Sequence, residues 1–260
     1  MTLWLITDLD DTWVKTARKL PDTSLCTNVI SAASSFEPTY LNPKAFKLWQ
    51  LFQNINTRII PVTGRSWASA SAWSIDQTMP WQQGGIFSHG ACIKDLSGHT
   101  DCAWKALVQE KLNDSLTKEA LAHWHQLVFK CGWQNNADQR DQRLVALKTE
   151  EADVLGWVAK AKSVNAEQRL KEHMDEWKSH ALALNLQVFA QKNHITVMPK
   201  GISKKDAFAY WKLTYAQDSD SFIGFGDALQ DLAFMEMCDW WMTPSGSDIS
   251  NALQPLNTIK

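Results

Sequence analysis

The segment Asp8-Leu9-Asp10-Asp11-Thr12-Trp13-Val14 puts three carboxylates into four consecutive positions, directly after the apolar run Leu3-Trp4-Leu5-Ile6. Two carboxylates about 4 Å apart repel by roughly 4 kcal/mol at an effective dielectric of about 20, so a fold that converges them must supply a cation or a proton. A metal site is one reading. The other is a strand-to-helix turn in which aspartates cap backbone N–H groups. Further residues suited to chemistry are Thr63-Gly64-Arg65, Lys204, and Asp227 with Asp231. Taken singly, each also fits an ordinary turn, a solvated lysine or a Gly-Asp loop pair, and Asp11, alternating away from its neighbours, reads as a turn acid.

The elements that would position these residues alternate in type. A strand at 3–7, a helix at 43–53, a strand at 57–62 and a helix from 66 are the order of parallel strands with crossover helices. The end repeats it, with strands at 194–198, 221–226 and 239–243 and helices at 203–214 and 229–237. Together the two ends predict an α/β fold with a doubly wound, parallel, Rossmann-like sheet. The reactive residues then fall at strand carboxyl ends, where open α/β sheets bind ligands. Between the ends, segments 85–88 and 91–94 flank a turn, helical patterns cover 115–130 and 166–183, and 144–147 and 186–190 read as strands. This predicts a core of 1–84 and 192–260 with residues 85–191 inserted as an α+β domain, its body from about 103 to 191. Residues 15–42 form a long Ser/Thr/Pro-containing connection of the kind that is functional or disordered. It leaves the Asp-rich strand end, and either folds over the site as a lid or packs as a peripheral excursion on the core edge.

The chain has 260 residues, 45% of them hydrophobic, enough to fill a core. With 26 basic and 28 acidic residues the net charge is −2, and no Lys/Arg block marks a footprint for nucleic acid or anionic lipid. The first apolar run stops at Asp8, too early for a signal peptide or membrane span, so the expected address is the cytoplasm. Cys26, Cys92, Cys102, Cys131 and Cys238 are scattered and read as reduced packing residues. The fourteen tryptophans could stack on sugar rings, but large aromatics serve mainly as packing.

The motifs gain meaning from their order: D-x-D-x-T, hydrophobic-T-G-R, a Lys shortly after a strand, then G-D-x-x-x-D. Carried by "ITDLDDTWV", "IIPVTGRS", "HITVMPKGISKKDAFAYW" and "FIGFGDALQDLAFM", this order resembles the haloacid dehalogenase-like phosphohydrolase superfamily nearly end to end. The similar branch has a large α/β cap inserted between the second and third motifs. The resemblance implies a Mg²⁺-dependent phosphatase for a small phosphorylated metabolite, with Asp8 as the nucleophile that becomes an aspartyl phosphate and Asp10 as general acid/base. It implies that Thr63 hydrogen-bonds the transferring phosphoryl group, with Gly64 beside it, and that Lys204 neutralises Asp8 and the phosphate. Asp227 would hold Mg²⁺ with the Asp8 carboxylate and the Asp10 carbonyl, and Asp231 would support that metal from behind these ligands or bind it directly. Lys205 competes with Lys204 by position, but the family pattern of Lys after Ser selects Lys204. Arg65 and His89 are the candidates for the substrate rim. The Trp after Thr in "DLDDTWV" is similar to the sucrose-phosphate phosphatase group and points toward a sugar or glycosyl phosphate. The chain departs from the family at His89-Gly90, where Asn-Gly is common, at Gln230, where Asn is common, and in the length of 15–42. The alternatives are a non-catalytic regulatory or interaction module on the same fold, or a phosphomutase.

Overall fold

The structure, a computed structural model, describes residues 1–20, 22–30, 38–74, 81, 84–134 and 143–253. Its chain divides into two compact units, Met1–Asp101 with Lys204–Lys260, and Cys102–Ser203.

The first unit begins with β1 (Leu3–Thr7), followed by β2 (Val14–Thr16), a 3₁₀ turn at Ala17–Lys19, β3 (Thr27–Asn28) and β4 (Thr39–Leu41). Helix α1 (Pro43–Asn54) starts where the Asn42 side chain accepts from the backbone N–H groups of Lys44 and Ala45, and Pro43 takes the first helical position. It buries Trp49 and Phe52. Strand β5 (Arg58–Pro61), the short helix α2 (Trp67–Ser71) and the hairpin β6 (Gly85–Phe87) and β7 (Cys92–Lys94) complete its first half.

The second unit comprises α3 (Cys102–Asn113), α4 (Ser115–Lys130), β8 (Arg143–Glu150), β9 (Asp153–Ala161), α5 (Val164–Ala183), β10 (Leu186–Gln191) and β11 (His194–Pro199). Its strands form an antiparallel sheet in the order β10-β11-β9-β8. Trp124, Trp133 and Trp177 lie in its core with Val145, Ala159, Ile195 and Val197. The Trp124 indole donates to the Trp177 carbonyl at 3.2 Å, giving the buried N–H a partner. Strand β11 corrects the sequence reading, which placed 194–198 in the parallel sheet: it pairs with β10 and β9 instead. An apolar run of this length is equally at home in either sheet.

The chain then returns to the first unit with α6 (Lys204–Tyr215), β12 (Ser221–Phe225), a 3₁₀ turn at Leu229–Asp231, α7 (Leu232–Met235), β13 (Trp240–Met242) and α8 (Asp248–Leu253). The expected helix at 229–237 is therefore broken into a 3₁₀ turn and one short α-helix. The principal sheet has the order β13-β12-β1-β5, and its pairings are parallel. Its register aligns Thr7 with Phe225 on one side and Pro61 on the other. The residues that follow each strand consequently emerge at one edge of the sheet.

Described residues of segment 15–42 take part in a small antiparallel sheet, β2-β4-β3. Val14, Val29, Ile30 and Leu41 are buried in the same cluster as Trp13, Trp49, Trp73 and Trp81. Pro21 and residues 31–37, Phe36 among them, lie outside the described residues. The tryptophans of this cluster meet edge to face or tilted, with centroids 5.5 Å apart for Trp13–Trp49, 5.6 Å for Trp49–Trp81 and 5.7 Å for Trp73–Trp81, a packing use. Trp240 and Trp241 are exposed. Among the described residues, the cysteines lie outside any disulfide. Among the described residues, no helix is long and apolar enough to cross a membrane.

Candidate active site

The acids after β1 are fixed from both sides. The Asp8 N–H donates to the Phe225 carbonyl at 2.8 Å, which extends the β1–β12 ladder by one step and fixes the Asp8 backbone. Thr7 Oγ1 takes a hydrogen bond from the Trp13 indole at 2.7 Å and donates to the Asp8 carbonyl at 2.7 Å. Asp11 has a positive φ of 61° and turns the chain outward, where its carboxylate pairs with Lys19. Asp tolerates that conformation better than most side chains, which agrees with a turn role.

Lys204, the first residue of α6, is buried and donates to Asp8 Oδ1 at 2.6 Å and to Asp231 Oδ1 at 2.7 Å. Lys205 is exposed. Asp231 is fully buried at the end of its 3₁₀ turn, and its other oxygen accepts the Ala228 N–H at 3.1 Å. Both Asp231 oxygens are therefore engaged. Asp227, which follows β12, accepts from Thr12 Oγ1 at 3.0 Å. One carboxylate oxygen from each of Asp8, Asp227 and Asp231 lies within 4.8 Å of the others.

Burial pushes the Asp8 carboxyl well above its usual range. The Lys204 ammonium opposes that shift, while Asp231, Asp227 and Asp10 add to it. Burial, followed by the charge of Asp231, pushes Asp227 up to about 6. Lys204 moves the other way: burial lowers it, but Asp231 and Asp8 outweigh this and raise it, so it stays charged. One lysine is thus not enough to compensate the cluster. The donor set is all hard oxygen, and Asp8 and Asp227 retain oxygens that Lys204 does not occupy, so these residues fit a hard divalent cation such as Mg²⁺.

Asp10 faces a different partner. Arg65 grips it through two bonds, Nε to Oδ2 at 2.8 Å and Nη2 to Oδ1 at 2.6 Å. Burial alone would raise the Asp10 carboxyl, but the charge of Arg65 and these bonds hold it below its usual value. Arg65 Nη1 also donates to Ser69 Oγ at 3.2 Å, and the guanidinium lies 5.2 Å from the Trp73 ring centroid.

Thr63 is fully buried after β5 and is held by its N–H to the Ile86 carbonyl at 2.9 Å. Its hydroxyl accepts the Arg65 N–H at 3.2 Å. The 88–90 turn is zipped to this loop: the Ser88 N–H donates to the Arg65 carbonyl at 2.7 Å, and the His89 N–H to the Thr63 carbonyl at 3.0 Å. Ser88 and His89 both adopt left-handed backbone, φ 50° and 58°. The buried His89 ring lies against Gly64, where a Cβ would come 2.5 Å from Cε1 and 2.7 Å from Nε2. Gly64 is therefore the residue that makes room for His89.

The residues singled out in the sequence thus fall into three groups in the first unit. Asp8, Lys204, Asp227 and Asp231 form one cluster, Asp10 and Arg65 a pair, and Thr63, Gly64 and His89 a packed loop. Arg65, expected at the rim toward substrate, spends its guanidinium on Asp10, Ser69 and Trp73. The sequence reading counted Thr12, through D-x-D-x-T, among the reactive residues after the first strand without giving it a role, and did not single out Ser69 or Trp73, which are defined only by tertiary contact.

Comparisons with known proteins bear on the family and the fold. Residues 1–239 match the family model described as sucrose-6F-phosphate phosphohydrolase. Among curated proteins nothing matches the chain. The fold is similar to that of a sucrose-phosphatase from Synechocystis solved with sucrose and phosphate, at 16% identity and TM-score 0.52, covering 91% of this chain and 80% of that one. A Thermoplasma acidophilum protein is similar at 12% identity and TM-score 0.61, covering 97% and 89%. The C-terminal domain of trehalose-6-phosphate phosphatase from C. albicans is similar at 14% identity and TM-score 0.51, covering 90% and 73%. At these identities the structures speak for a shared fold.

Proposed function

Because the chain belongs to the sucrose-6F-phosphate phosphohydrolase family, and so is a phosphoric monoester hydrolase of the sugar-phosphate class, we propose that it hydrolyses a sugar or glycosyl phosphate through an aspartyl phosphate on Asp8, with Mg²⁺ as cofactor. The observation that carries this reading is the buried Asp8 carboxylate, held by Lys204 at 2.6 Å beside Asp227 and Asp231 at the end of the central strand.

The steps follow from what each side chain can do. An Asp8 oxygen attacks phosphorus and the bond from phosphorus to the sugar oxygen breaks. Asp10, ionised in its pair with Arg65, first takes up a proton from solvent on one oxygen while the other stays on Arg65; it gives that proton to the departing alkoxide, then takes a proton from the water that attacks the phosphorus of the aspartyl phosphate. Inorganic phosphate leaves and Asp8 is restored. Lys204 stays charged throughout and holds Asp8 in line, and the buried Thr63 hydroxyl and Gly64 N–H present donors to the phosphoryl oxygens. Asp8, Asp227 and the Asp10 carbonyl would hold Mg²⁺, with Asp231 fixing Lys204 and the 228–231 turn. The cation supplies positive charge that lets a dianionic phosphate approach an ionised Asp8.

A panel of sugar, glycosyl, polyol and nucleotide phosphates, assayed for phosphate release with Mg²⁺ and with chelator, tests the reading. A sugar phosphate should stand out with Mg²⁺ present. Preferential turnover of a nucleotide phosphate, or phosphate release undiminished in chelator, would contradict it.

A further inference from the structure

The long connection 15–42 and the acid/base aspartate are joined by a continuous set of contacts inside the first unit. The Val29 N–H donates to the Thr39 carbonyl at 2.9 Å, which ties this stretch to β4. Ile30 forms an antiparallel bridge with Trp73, and the Ser74 N–H donates to the Val29 carbonyl at 2.7 Å. Val29, Ile30 and Trp73 are all buried in one cluster, with the Trp81 ring 5.7 Å from that of Trp73. The Arg65 guanidinium lies over Trp73 at 5.2 Å and is pinned on another side by Ser69. Arg65 in turn holds both oxygens of Asp10. A planar guanidinium that is stacked and bonded on three sides has few alternative rotamers, so the carboxylate it grips is fixed too.

We propose that Arg65 is a positioning residue for Asp10, and that the connection 15–42 is the buttress of that arrangement through Val29, Ile30 and Trp73, rather than a lid. The inference rests on the reading of Asp10 as general acid/base. An acid/base group misplaced by about 1 Å costs orders of magnitude in rate, and the cost falls on the step that needs the proton. A sugar alkoxide must be protonated as it leaves, whereas a nitrophenolate departs nearly unaided. Damage to this set of contacts therefore has a signature that general destabilisation lacks: selective loss on poor leaving groups.

The experiment compares kcat and KM for the best sugar phosphate and for p-nitrophenyl phosphate in the wild type, Arg65→Lys, Arg65→Ala and Ile30→Ala, each checked for folding by circular dichroism. Wild-type hydrolysis of both esters is measured first, and its absence would sink the phosphatase reading itself rather than this one. For Arg65→Ala, kcat on the sugar phosphate should fall about 100-fold, within the usual range for general acid catalysis, and the nitrophenyl ester should lose far less. Added guanidinium should restore part of the sugar-phosphate rate, and an alkylammonium of similar size should not, because it lacks the planar fork. Arg65→Lys should show the same selectivity at smaller amplitude. Ile30→Ala, remote from the reacting atoms, should reproduce the selectivity weakly. Equal losses on both esters, or a raised KM with unchanged kcat as for a direct substrate ligand, would overturn the role of Arg65. If Ile30→Ala lowers thermal stability while leaving the ratio of the two esters at the wild-type value, the buttress is overturned.

Discussion

Asp227→Asn should stabilise the metal-free protein, although it removes a residue that the mechanism requires. Burial and the nearby charges of Asp231 and Asp11 push the Asp227 carboxyl from 3.8 to about 6, against the Thr12 hydrogen bond and the Lys204 charge. A carboxyl whose folded pKa lies above its unfolded value keeps its proton longer in the folded state. The ionisation penalty is therefore absent below about pH 4, grows as pH rises, and is complete above about pH 6. A shift of about 2 units corresponds to roughly 3 kcal/mol, and because Asp227 remains partly exposed, solvent screening reduces this to about 1–2 kcal/mol. Asparagine keeps the oxygen that accepts from Thr12, so the substitution removes charge with little change of shape. Urea unfolding in chelator should show the variant more stable by about 1–2 kcal/mol at about pH 8, with the difference vanishing near pH 4. Saturating Mg²⁺ should then reverse the order at the higher pH, since a ligand at 100 times its Kd stabilises the wild type by about 2.7 kcal/mol. A difference that does not vary with pH, or a variant less stable than wild type at pH ~8 in chelator, would refute the electrostatic account of the cluster.

Lys204→Met leaves two buried carboxylates without their shared cation and should cost about 3–5 kcal/mol of stability along with activity, read by thermal unfolding at neutral pH. A change in melting temperature of less than about 2 °C would contradict a central part for that pair. Asp10→Asn should retain measurable turnover of p-nitrophenyl phosphate while losing about 100-fold or more on a sugar phosphate, and equal losses would argue against Asp10 as general acid. Calcium should inhibit where magnesium activates, because its longer bonds and higher ligand number disturb an in-line arrangement; full activity with Ca²⁺ alone would count against the cation placement.

Much of the first unit was legible because local pattern and tertiary fate coincide there. β1, α1, β5, α6 and β12 sit close to where periodicity put them, and the parallel register carries Asp8, Thr63 and Asp227 to one edge. Motif order separated Lys204 from Lys205, and burial separates them in the same sense. What failed to read from the sequence depends on partners far along the chain. β11 looks like a parallel-sheet strand until β9 and β10 are in place, and β9 and α3 carry patterns too mixed to stand out. The site of Arg65 is the clearest instance. Nothing adjacent to Thr63-Gly64-Arg65 says that its guanidinium meets Asp10, 55 positions away, or Trp73. The strands of 15–42 are two or three residues long, below the length at which alternation is informative.

The most direct test of the proposed chemistry is rapid acid quenching of the enzyme during turnover of its best sugar phosphate with Mg²⁺, followed by mass spectrometry of the peptide that contains Asp8. The account predicts a phosphoryl increment on Asp8 that appears within one turnover, decays when substrate is exhausted, and is absent in Asp8→Asn, which should also lack phosphate release. Turnover by Asp8→Asn at more than a few per cent of the wild-type rate, or a phosphoryl group carried on another residue, would contradict it.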